Sequence, residues 1–109
     1  MQKVRIKIEI NDHIIEGIGT INNNVLNLKD KEETIQFDLK NFVLYKENKE
    51  LIIKLDFLSK KVFYELIEEN KKFSNNLVIF SLTNNHKQVI IKYQIEQADF
   101  LLKVNYETI

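Results

Sequence analysis

The 109-residue chain contains no cysteine, no proline and no tryptophan, and only two glycines. Without cysteine there is no disulfide framework, thiolate zinc site, thiol nucleophile or iron–sulfur cluster. Without proline nothing removes ladder donors from interior strands. No charge dominates, because sixteen basic residues balance sixteen acidic ones. Nucleic-acid binders usually carry a basic excess, so this balance argues against a nucleic-acid partner. Long apolar runs are missing too. Lys3, Arg5 and Lys7 interrupt the N-terminal stretch, where a signal peptide needs about 7–15 apolar residues. No window approaches the roughly 18 residues of a membrane span. These features predict a cytoplasmic protein, and the length suits a single domain over residues 1–109.

What is present favours strands. Isoleucine, valine, threonine, phenylalanine and tyrosine are abundant, whereas alanine, the best helix former, occurs once, at Ala98. Lysine almost replaces arginine, and asparagine and isoleucine are frequent. That bias fits an AT-rich genome, so the choice of lysine over arginine carries no functional reading.

Alternation of apolar and polar residues recurs along the chain, the mark of strands with one buried face. Val4, Ile6, Ile8 and Ile10 share a face in the first segment. Further strands are predicted at 13–21, 25–29, 34–39, 42–46, 51–57, 77–83, 87–96 and 100–106. Asparagine-rich turns separate several of them, as at Asn22-Asn23-Asn24. Ser59 to Lys72 is ambiguous. Val62, Tyr64 and Leu66 alternate as a strand would, while Leu58, Val62, Phe63, Leu66, Ile67 and Phe73 make a helical stripe that Ser59 could cap. The strand reading agrees with its neighbours, and a short helix near 59–71 stays open.

Connections this short cannot hold helical crossovers, so the strands should run antiparallel beside their sequence neighbours. The expected fold is an all-β antiparallel meander of 8–10 strands closing into a small up-and-down barrel, which buries one face and removes the edges. A two-sheet sandwich is the alternative. The chain resembles the uncharacterised bacterial calycin-like (lipocalin-like) β-barrel family over residues 14–106. The likeness rests on Leu55-x-Phe57 with Tyr64 beyond it, Leu77 to Thr83, Ile91-x-Tyr93-x-Ile95 and Leu102-x-Val104-x-Tyr106. Leu51-Ile52-Ile53-Lys54 lacks the Arg-x-Gly element the family would place there, and the chain is shorter. The resemblance implies a fold and no established activity.

Candidate sites follow from residues that break the apolar pattern. Tyr64, Tyr93 and Tyr106 lie on otherwise aliphatic faces. They could orient a small apolar ligand in the lumen, or sit at strand ends with hydroxyls in water. Gly17 and Gly19 share one strand face, leaving room for a ligand or permitting the bend that closes a small barrel. The large inward candidates Ile6, Ile8, Ile53, Phe57, Phe100 and Leu102 predict a filled interior. Phe42, Val43 and Tyr45 belong to the most two-sidedly apolar short strand, a candidate surface for a protein partner or homodimer. His13 and His86 lie beside turns, and nothing in their spacing assembles a metal site. Lys3, Arg5 and Lys7 read as a solvated outer face. No nucleotide, metalloprotease or nucleophile-elbow motif occurs, and no cofactor is implied. The chain thus reads as a non-enzymatic barrel that binds a small apolar ligand. The alternative is an interaction module with a packed interior.

Overall fold

The computed structural model describes all residues 1–109 and contains ten strands and no helix. They are β1 (Gln2–Ile10), β2 (His13–Asn22), β3 (Val25–Asp30), β4 (Glu33–Asp38), β5 (Val43–Glu47), β6 (Leu51–Asp56), β7 (Lys61–Leu66), β8 (Lys71–Asn85), β9 (Gln88–Ile95) and β10 (Ala98–Thr108). Each pairs antiparallel with its sequence neighbour, and β1 closes on β10, with Ile6 opposite Tyr106 and Ile8 opposite Val104. The barrel is closed, so the two-sheet alternative falls.

The ambiguous stretch at 59–72 is a hairpin and not a helix. Lys61–Leu66 forms β7, Ile67–Asn70 turns, and β8 already begins at Lys71, well before the expected Leu77. Its helical stripe has no sheet face to cover, whereas the alternation of Val62 and Tyr64 continues the inner surface that Leu55 and Ile53 begin across the ladder. Tertiary context overrides local propensity here.

The turns use no glycine. Asn23 and Asn24 take φ values of 52° and 66°, and His86 with Lys87 and Glu96 with Gln97 also pair positive φ values, as tight two-residue hairpins require. Both glycines lie inside β2 with no positive φ, so they serve there for their missing Cβ and not for conformational freedom.

Eighteen buried residues form one core, with no charged side chain among them and the Tyr93 hydroxyl as its one polar group. Val4, Ile6 and Ile8 from β1 meet Leu26 and Leu28, Ile35 and Phe37, and Val89, Ile91, Leu102 and Val104. Phe57, Tyr93 and Phe100 plug the interior: Phe57 meets the Tyr93 ring edge-on at 5.1 Å, and Phe100 stacks on it at 5.2 Å.

The barrel is creased at two corners. Only Thr20, Ile21 and Asn22 of β2 pair with β3, whereas the whole of β2 as far as Ile21 pairs with β1. In β8, Lys71–Asn76 pairs with β7, and Leu77–Asn85 pairs with β9. A bulge interrupts the second half of β8 between Ile79 and Ser81, leaving Phe80 as the extra residue.

Candidate binding surfaces

The glycine pair marks the first corner. A Cβ on Gly19 would stand 2.1 Å from the Asn27 carbonyl oxygen and 2.7 Å from Ile6 Cδ1. A Cβ on Gly17 would meet only the tip of Leu28, at 3.2 Å. The space that these glycines leave is therefore occupied by the backbone and side chains of this chain. Their shared inner face lets β3 cross close over β2. Beside this crossing, the Asn27 side-chain oxygen is buried and takes no hydrogen bond.

The three tyrosines do not converge. Tyr93 is buried, and burial, with a smaller contribution from Tyr64, pushes its hydroxyl well above the ordinary value of 10. Tyr64 is half-buried near the same end; burial and then the charge of Glu96 raise it too. Glu96 accepts a hydrogen bond from Asn75 Nδ2 at 2.6 Å. Tyr106 lies apart: in β10 it is six residues beyond Phe100, the partner of Tyr93, or about 20 Å along a strand. Its backbone N–H donates to the Lys87 carbonyl near the opposite end. Phe73 stands directly opposite Tyr64 on the inner side of β8 and is exposed at the rim.

The Phe42–Tyr45 segment is less open than its sequence implies. Phe42 has φ 53° and packs against the core, and its carbonyl accepts the Phe57 N–H. Val43 and Tyr45 are half-buried. The Tyr45 hydroxyl donates to Glu47, and that bond, ahead of desolvation, raises its pKa. Asp38 organises the turn before them, accepting from Asn41 N at 3.0 Å and Lys40 N at 2.9 Å, and these bonds, that from Asn41 above all, hold its carboxyl below the usual value. His13 and His86 are exposed, one opening β2 and the other in the β8–β9 turn. No group of three or more His, Asp or Glu side chains is placed to hold a metal ion.

Sequence reasoning missed the outward apolar residues at the two corners. Along β2, Ile14 and Ile18 are 51% and 61% exposed; along β8, Val78 and Phe80 are 52% and 59% exposed. Both pairs lie where a strand has a ladder partner on one side only: β2 before Thr20, and β8 throughout, which pairs with β7 up to Asn76 and with β9 from Leu77. The alternation of β2 was legible, but a closed meander implies two neighbours for every strand. The short β2–β3 pairing appears only once β3 crosses Gly19. A largely apolar cleft of about 510 Å³ lies beside the second corner, with Phe80, Leu101, Tyr93 and Phe100 in its lining. The first corner is smoother: Ile14, Glu16 and Ile18 follow one another on its outer face. Set beside family models, curated proteins and solved structures, the chain matches none of them.

Proposed function

We infer that this barrel is a non-enzymatic interaction module whose interior is packed and whose binding surface lies outside. The observation that carries this reading is the contrast between interior and exterior. The core is apolar but for the Tyr93 hydroxyl and is plugged by Phe57, Tyr93 and Phe100, while large apolar side chains stand exposed beside strand segments that lack a second neighbour. An exposed strand with unpaired backbone groups is a ready template for another extended chain. A second reading, favoured by Tyr64 and the rim residue Phe73, keeps the calycin-like expectation of a small apolar ligand, held at the open end.

Native mass spectrometry with a fluorescent fatty-acid probe decides between them. The module reading expects a mass equal to the polypeptide alone and no saturable probe fluorescence. A co-purifying small molecule, or a probe displaced by Phe73→Glu, overturns it in favour of the ligand reading.

A further inference from the structure

Resting on the module reading, we propose that the open edge of β2, residues 13–19, receives an extended peptide strand with an apolar–x–basic–x–apolar pattern. This segment pairs with β1 on one side, and its pairing with β3 starts only at Thr20. No bulge interrupts its register, and it carries no lysine or proline, the usual devices that protect an edge. Its outer face presents Ile14, Glu16 and Ile18 in alternation, all exposed. A residue added opposite each would lie on the same face, so the incoming strand would set apolar side chains against both isoleucines.

The central position selects the charge. Glu16 forms no ion pair; Lys7, its register partner on β1, lies 3.1 Å from Glu9 instead. A cation in the added strand would complete a cross-strand pair with Glu16. The same carboxylate disfavours a second copy of this chain. Antiparallel self-pairing that matches Ile14 with Ile18 would set the two copies' Glu16 side chains directly opposite each other. A shift of two residues would instead set isoleucine against glutamate. One acidic residue thus discourages self-association and leaves the edge open to a basic partner. On β8 the open edge of Leu77–Asn85 is broken by the Phe80 bulge and followed by Ser81, Thr83, Asn84 and Asn85, and that of Lys71–Asn76, which has no β9 partner, carries Lys71 and Lys72, so both offer less to a regular strand.

The test is an NMR titration of the 15N-labelled full chain with a synthetic heptapeptide carrying valine, lysine and valine at alternate positions between threonines. The motif is palindromic, so either strand direction gives the same match. Expected are amide shifts concentrated at residues 13–19, and binding ~5-fold tighter or more than that of the peptide with glutamate in place of lysine. Glu16→Lys, a surface change, should reverse the preference, and Ile18→Lys should abolish binding. Equal binding of both peptides, an unchanged preference in Glu16→Lys, shifts located elsewhere, or no binding at millimolar peptide overturns the β2 assignment. A ligand retained in the barrel would defeat the underlying module reading and is seen separately, by mass.

Discussion

The two corners of the barrel solve one problem by opposite means. At β2 atoms are removed: Gly19 has no Cβ, and the Asn27 carbonyl occupies the place where one would be. At β8 a residue is added: Phe80 bulges out so that Ile79 can face Tyr93 while Ser81 faces Lys92. The first device leaves a regular edge, and the second leaves an irregular one. A sheet can therefore be creased by removing atoms or by adding a residue, and the two devices leave different surfaces; the glycine-built corner keeps a regular, lysine-free edge that another strand could extend.

Substitution of the glycines probes the first corner most severely. The clash at Gly19 is with backbone, which cannot rotate away, so Gly19→Ala should cost about 3 kcal/mol or more in urea unfolding. At Gly17 the neighbour is the end of the flexible Leu28 side chain, and Gly17→Ala should cost less than about 1 kcal/mol. Equal losses would mean that β3 does not cross β2 where described, and the contrast between the corners would collapse.

The second corner is probed by deleting Phe80. Ile79–Tyr93 and Ser81–Lys92 would then follow one another in an unbroken ladder. The expected loss of stability is about 1 kcal/mol, typical of a tolerated local change. The sharper readout is association. Without its bulge the β8 edge becomes regular like that of β2 but has no acidic residue on it from Val78 to Asn85. Sedimentation velocity should therefore show concentration-dependent dimers for the deletion variant and not for the parent chain. A deletion variant that stays monomeric at high concentration would remove the protective role assigned to the bulge.

These corners also mark the limit of what the chain discloses by itself. The strands were legible because Val4, Ile6 and Ile8, or Val89, Ile91 and Tyr93, alternate strictly, and a buried face enforces that pattern whatever the partner. The turns were legible because Asn23 and Asn24 tolerate left-handed backbone. Gly17 and Gly19 signalled a bend or a vacancy, and periodicity could not choose between them; the choice depends on where Asn27 lies, a contact made through tertiary packing. The start of β8 was misplaced because Lys72, Ser74 and Asn76 give it a polar outer face while Lys71 and Asn75 interrupt the inner one, so the alternation is too weak to register, although Phe73 and Leu77 do face inward. The apolar surface at Ile14 and Ile18 was hidden for a related reason. An isoleucine on the outer face of a strand looks ordinary until one of the strand's two neighbours is seen to turn away.

The smallest effect at neutral pH should come from Tyr93, whose register partner Ile79 opens the β8 bulge. Its ring is held between Phe57 and Phe100. Tyr93→Phe keeps the ring contacts and should change stability at pH 7 by less than about 0.5 kcal/mol. Alkaline pH separates the two proteins. Burial raises the Tyr93 pKa in the folded state above its ordinary value of 10, so the unfolded chain releases this proton first. Stability due to Tyr93 is therefore full below pH 10 and lost as pH rises beyond it, at up to about 1.4 kcal/mol per pH unit. At pH 11 Tyr93→Phe should be the more stable protein by about 1 kcal/mol in chemical denaturation. Parallel decline of the two proteins would show that the Tyr93 hydroxyl reaches water in the folded barrel, and the β8 corner would then be more open than its bulge and aromatic plug imply.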